Sequence, residues 1–144
     1  MEKVNIGVLG FGTVGTGVVK TLRDHQAMLR AKTGIAFDLK KIADLDITTK
    51  RIVEVDQSLL TTDAYQILND PEIQIVVELI GGYEPARTLM LEALRQKKHV
   101  VTANKALLAV HGQELFEAAH QHQVDIGFEA SVGGGIPIIR SLRE

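Results

Sequence analysis

The stretch from Val4 to Gly15, VNIGVLGFGTVG, constrains this chain more than any other. Val4, Ile6, Val8 and Leu9 read as a short buried parallel strand. Gly10, Gly12 and Gly15 follow at G-x-G-x-x-G spacing, and a helical pattern opens at once with Val14, Val18 and Leu22 on one face. In such a strand–turn–helix each glycine has a physical task. Gly10 permits the tight turn, Gly12 lets the backbone approach a pyrophosphate because no Cβ stands in the way, and Gly15 lets the helix pack close to the strand. The free N–H groups and the positive end of the helix dipole then face the anion. A glycine-rich turn alone is a weak signal, but a strand before it and a helix after it favour a dinucleotide site over a purely structural turn.

Other classes of function fit poorly. With 16 basic and 18 acidic residues the net charge is −2, which argues against nucleic acid as the main partner. No cysteine is present, so disulfides, thiolate metal sites and cysteine nucleophiles are excluded. That composition fits a cytoplasmic chain. The N-terminus runs straight into the first strand, so no signal peptide is expected, and the apolar runs are too short to span a bilayer.

Beyond the glycine turn, the first helix is expected from about Thr13 to about Arg30, with Lys32, Thr33 and Gly34 as its exit. Phe37, Leu39, Ile42 and Ala43 make a second strand that ends at Asp44 and Asp46. An acid at this strand end commonly binds the adenosine ribose hydroxyls. Asp44 lies later than the usual spacing and reads equally well as a solvated acid, while Lys50 and Arg51 could hold a 2′-phosphate instead. The choice between NAD and NADP stays open.

Residues 47–62 read as a crossover loop, and Asp63 to Asn69 as a short helix with Ala64, Ile67 and Leu68 inward. Ile73, Ile75, Val76, Val77 and Leu79 form a β-branched central strand that ends in Ile80-Gly81-Gly82, where a backbone can approach a ligand closely. Glu84-Pro85 starts a helix with Pro85 at its first position and Ala86, Leu89, Met90, Ala93 and Leu94 on its apolar face. Lys97, Lys98 and His99 end that helix and complement its dipole. A short strand, Val100 to Thr102, leads through Asn104-Lys105 into the apolar run Ala106 to Val110, which His111-Gly112 is expected to break. A separate helix then covers Gln113 to His122. Val124, Ile126 and Phe128 alternate as one more strand, and a last helix begins at Pro137. His111, His120 and His122 have no nearby acid and read as surface histidines. Strands alternating with helices predict an α/β fold, a Rossmann-type doubly wound parallel sheet. The last helix reaches Glu144 without a terminating signal, so residues 1–144 are expected to be a truncated NAD(P)-binding domain, with the substrate and dimerisation domain absent.

Four strings carry a specific resemblance. GVLGFGTVGTGVV at 7–19, VVELIGGYEPAR at 76–87, HVVTANKALLAVHG at 99–112 and FEASVGGGIPIIR at 128–140 resemble the N-terminal cofactor domain of homoserine dehydrogenase in order and spacing. The resemblance implies NAD(P)-dependent interconversion of L-homoserine and L-aspartate 4-semialdehyde, a step towards threonine, methionine and isoleucine. It implies a small-molecule substrate, and for the full-length protein a homo-oligomer. It places the cofactor against Gly10, Phe11, Gly12, Thr13, Val14, Gly15, Asp44, Arg51, Ile80, Gly81 and Lys105. Lys105, in T-A-N-K, is implied as the catalytic residue beside nicotinamide and substrate. The chemistry agrees, because hydride transfer to an aldehyde leaves an alkoxide that a cation or acid must stabilise or protonate. The resemblance further implies a structural monovalent cation, sodium, held by the Glu129 side chain and the carbonyls of Val132, Gly134 and Ile136. A related oxidoreductase of another small aldehyde, or a nucleotide-sensing module without chemistry, are the competing readings.

Overall fold

A computed structural model describes residues 2–144. Its strands are β1 (Lys3–Leu9), β2 (Ala36–Ala43), β3 (Leu60–Thr61), β4 (Ile75–Glu78), β5 (His99–Thr102) and β6 (Ile126–Gly127). They form one sheet in the order β3-β2-β1-β4-β5-β6, and every pairing is parallel. The helices are α1 (Thr13–Asp24), α2 (Gln26–Thr33), α3 (Tyr65–Leu68), α4 (Ala86–Arg95), α5 (Lys105–His122) and α6 (Ile138–Arg143). This is the doubly wound Rossmann-type arrangement that the alternation of elements predicts. The chain travels outward from β1 to β3, then returns to the other side of β1 with β4. At that reversal a crevice opens beyond the carboxyl ends of the strands, where sheets of this kind bind ligands.

The sheet separates two apolar cores. Ile6 and Val8 of β1, Ile42 of β2 and Val77 of β4 pack with Phe11 and Val19 on one side. Their strand neighbours Leu9, Ala43 and Val76 face the other side, where α3, α4 and α5 supply Ile67, Leu68, Met90, Leu94, Leu107 and Leu115. Complete burial of a side chain of this size contributes about 1.5–3 kcal/mol, so these layers supply most of the drive to fold. Gly7 admits α3 to the sheet: a Cβ there would stand 2.3 Å from Ile67 Cγ2.

Several local expectations are corrected. The first helix is two: at His25 (φ −115°, ψ 17°) the regular conformation lapses for one residue, and α2 continues past Arg30 to Thr33. Gly34 (φ 74°) then closes α2 by donating its N–H to Arg30 O, so Lys32 and Thr33 are helical. Val14 is 57% exposed, whereas Val18 and Leu22 pack against the core as expected, beside the buried Gly15, Thr16 and Val19. Leu60 and Thr61, expected in a loop, form the edge strand β3. Pro85 precedes α4 instead of occupying its first position, after a cis Glu84–Pro85 peptide, and the Glu84 carboxylate accepts the Thr88 N–H and hydroxyl. His111-Gly112 does not interrupt α5. Gly112 is buried, and one glycine costs a helix interior only about 1 kcal/mol, which the packing of Leu107 and Leu115 offsets. Lys98 does not serve the α4 dipole. It is 3% exposed, and its Nζ donates to the carbonyls of Asp70 (2.6 Å) and Ile73 (2.9 Å) while burial pushes its pKa below the usual lysine range.

Candidate dinucleotide site

The glycine turn bridges β1 and α1. Gly10 has φ +101°, a left-handed value that other residues rarely adopt, and a Cβ there would stand 2.8 Å from the Leu79 carbonyl. Gly15 lies so close beneath the turn that a Cβ would stand 2.0 Å from Gly10 O. Gly12, the residue before Thr13 in α1, faces open space, with nothing within 4 Å of where its Cβ would be. The N–H groups of the first turn of α1 have no acceptor within the helix, and no acidic residue shields them. The turn therefore offers an uncrowded positive surface to a phosphate.

Phe11 is fixed on three sides. Its N–H donates to Asp44 Oδ2 at 2.5 Å, its carbonyl accepts Arg51 Nε at 2.8 Å, and its buried ring lies 5.6 Å from the Arg51 guanidinium carbon. Asp44 Oδ1 also accepts the Asp46 N–H, so the acid is neither free in solvent nor idle. Arg51 donates further to Asp46 O at 2.9 Å. The Thr49 hydroxyl and N–H and the Thr48 N–H hold the Asp46 carboxyl well below the usual range. A cleft of about 330 Å³ runs past this turn, bounded by Gly10, Gly12, Asp44, Ile80 and Leu89 among others.

Lys105 opens α5 at the carboxyl end of β5 and is exposed. Its neighbour Asn104 caps the helix, with Oδ1 accepting the Leu107 N–H at 3.2 Å. Asn104 and Ala103 share a smaller cleft with Val14, Leu79 and Gly81, so the start of α5 and the start of α1 border the same space. Ile80 and Gly81 stand between them at the end of β4.

Beneath the crevice lies a buried acid that the sequence patterns did not single out. Glu78, the last residue of β4, has no exposed surface. Its Oε1 accepts the N–H groups of Ile80 (2.8 Å) and Gly81 (3.3 Å), and its Oε2 accepts the Thr102 hydroxyl (2.7 Å). The Thr102 hydroxyl accepts the Asn104 N–H (3.0 Å), and Asn104 Nδ2 donates to Gly82 O (2.7 Å). Ser131 Oγ donates to Thr102 O at 2.8 Å. The available signal was an acid inside an otherwise β-branched central strand.

Glu129 lies apart from the glycine turn, beside α6. Its Oε1 accepts the Ile139 N–H (2.9 Å) and its Oε2 the Arg140 N–H (3.2 Å), so it joins the glycine-rich turn to α6. In that turn Gly133 and Gly134 have positive φ, and Ile136 O accepts the Ile138 N–H at 2.8 Å. Among the described residues no group of three or more His, Cys, Asp or Glu side chains is arranged for a metal ion.

The family model described as "Homoserine dehydrogenase, NAD binding domain" matches residues 10–129. This chain belongs to the homoserine dehydrogenase family. It is 48% identical over 144 residues to the homoserine dehydrogenase of Bacillus subtilis (strain 168), covering 100% of this chain and 33% of that protein. It is 50% identical over 141 residues to that of Synechocystis sp. (strain ATCC 27184 / PCC 6803 / Kazusa), covering 98% of this chain and 32% of the relative. A solved homoserine dehydrogenase from Thiobacillus denitrificans superposes with a TM-score of 0.91 at 43% identity, covering 100% of this chain and 33% of that one. The chain thus spans about a third of the length of these three relatives. Among the described residues no helix is long and apolar enough to cross a membrane.

Proposed function

We propose that this chain is the cofactor-binding part of a homoserine dehydrogenase that interconverts L-homoserine and L-aspartate 4-semialdehyde with NAD(P), on the route to threonine, methionine and isoleucine. The observation that carries the reading is the position of Lys105: it follows Asn104, which borders one cleft with Val14 of the glycine-turn helix and Gly81. Gly10, Phe11, Gly12, Thr13, Val14 and Gly15 hold the pyrophosphate on the free N–H groups of α1. Asp44 and Arg51 shape the adenosine side, and Ile80, Gly81 and Lys105 border the nicotinamide side. The bound nicotinamide supplies or accepts the hydride. Lys105 steadies the substrate oxygen as its charge changes and exchanges a proton with it.

Arg51 donates to Phe11 O and Asp46 O, while Lys50 is exposed beside it, so we propose that either NAD or NADP is accepted. The Glu129 carboxylate and the carbonyls of Val132, Gly134 and Ile136 form an all-oxygen set suited to a hard monovalent cation of structural role. Such an ion would share Glu129 with the Ile139 and Arg140 N–H groups. The whole protein is proposed to be a cytoplasmic homo-oligomer whose further residues grip the substrate. The test is NAD(P)H oxidation by the full-length protein with aspartate semialdehyde. Turnover with this aldehyde and not with other small aldehydes supports the reading. Dinucleotide binding without any turnover would leave a sensor instead.

A further inference from the structure

We infer that Glu78 is a positioning residue that couples the Gly81 turn to the start of the helix carrying Lys105. The bonds around it close on themselves. Glu78 takes the N–H groups of Ile80 and Gly81; the next residue, Gly82, takes the Asn104 side chain; the Asn104 N–H goes to Thr102; and the Thr102 hydroxyl returns to Glu78. Glu78 and Thr102 are aligned as partners in the β4–β5 ladder, which sets their side chains next to each other. The next residue after Asn104 is Lys105.

A buried carboxylate is an expensive way to end a strand. Removing such a charge from water costs several kcal/mol unless hydrogen bonds replace the lost hydration. The rest of β4 is Ile75, Val76 and Val77, and one more aliphatic residue would complete a dry strand. The backbone ladder already holds β4 to β5, so the acid is not needed for that. Two of its partners, Ile80 and Gly81, instead border the crevice, and the third, Thr102, holds Asn104 beside it. Because a trans peptide is planar, N–H groups directed down at Glu78 turn the carbonyls of Leu79 and Ile80 the other way. The Leu79 carbonyl lies against Gly10. The ring therefore fixes two things at once: the course of the backbone after β4, and where the start of α5 with Lys105 stands relative to it. Charge-assisted bonds in a low-dielectric interior make such a ring stiff.

The inference rests on the proposed function only where turnover is read, so the experiment has a second readout. In the full-length protein, Glu78→Gln keeps the shape but sets an amide donor against the Thr102 hydroxyl or the two N–H groups. Thr102→Val removes the hydroxyl, and Thr102→Ser keeps it. Glu78→Gln and Thr102→Val should each lower kcat about 10- to 100-fold, the loss expected when reacting groups shift by about 1 Å. The dinucleotide Kd should change little, and Thr102→Ser should restore turnover. Amide hydrogen exchange should quicken together over 79–83 and 103–107 in both impaired variants. Faster exchange confined to the segment bearing the substitution overturns the coupling. So does a Thr102→Ser variant as impaired as Thr102→Val. If the unaltered protein fails to turn over homoserine, the functional reading falls and the exchange pattern alone decides the coupling. If Glu78→Gln does not fold, Thr102→Val with Thr102→Ser carries the test.

Discussion

The Asp44 carboxylate accepts the Phe11 N–H at 2.5 Å, tying the end of β2 to the middle of the glycine turn. An acid at this place reads in sequence as a ribose ligand or as a solvated acid, and here it supports the glycine turn. Its other oxygen takes the Asp46 N–H. Replacing Asp44 by Ala strands the N–H of a buried residue, at a cost of about 1–3 kcal/mol. We expect Asp44→Ala to lower the melting temperature and to weaken NAD and NADP in parallel. Titration of both cofactors checks this, and loss of NAD binding alone would assign Asp44 to the ribose instead.

Gly12 and Gly15 should fail in opposite ways. A Cβ at Gly12 meets nothing within 4 Å, so Gly12→Val should fold and lose dinucleotide binding, because its side chain occupies the phosphate position. A Cβ at Gly15 would stand 2.0 Å from Gly10 O, so Gly15→Ala must push α1 off the turn, and overpacking of this kind costs about 1–3 kcal/mol. Calorimetry with and without cofactor separates the two. A Gly12→Val domain that binds with unchanged affinity contradicts the assignment of this turn.

The fold and the glycine turn were legible because their signals are local and repeated. Strand runs of β-branched residues and the strict glycine spacing each point to one answer. What escaped depends on distant partners. Glu78 looks like an interruption of its strand until Thr102 is set beside it by the ladder. Gly112 reads as a helix breaker, yet tertiary packing carries α5 through it. Lys98 sits in a basic run that resembles a helix end, but its amine is claimed by carbonyls of the turn after α3. β3 has two residues, too few to show any period.

Lys105→Ala in the full-length protein should cut turnover much more than it weakens cofactor binding. Residues 1–144 alone should bind dinucleotide weakly and show no homoserine turnover. Orientation of the reacting groups can supply roughly 7–11 kcal/mol of barrier lowering, and one lysine cannot orient a substrate. Steady-state kinetics beside a direct cofactor titration test both statements. A loss accounted for entirely by weaker cofactor binding removes Lys105 from the chemistry.

Asp70 predicts part of the acid sensitivity. The Lys40 ammonium, 2.8 Å away, and the Glu72 N–H hold its carboxyl below the ordinary range. Its folded pKa lies under its unfolded one, so these bonds stabilise the fold above about pH 4, the ordinary aspartate value, and that contribution fades as pH falls through the folded pKa. Unfolding free energy measured against pH should therefore decline more gently below pH 4 in Asp70→Asn than in the parent. Curves that stay parallel throughout that range would show that Lys40 contributes nothing through Asp70.

The pleat of β1 gives the two ends of the crevice different foundations. Phe11 and Val19, beneath the glycine turn, rest on the smaller core, whereas α5 with Lys105 rests on the larger one across the sheet. Damage beneath one end need not reach the other. If the full-length protein works as proposed, a defect near Val53 or Val8 should loosen its hold on the cofactor with little loss of rate at saturation. A defect near Leu107 or Leu115 should instead slow the reaction with little change in saturation. Grip and reactivity would then be separable failures, and variants far from the crevice could be sorted by which of the two they impair.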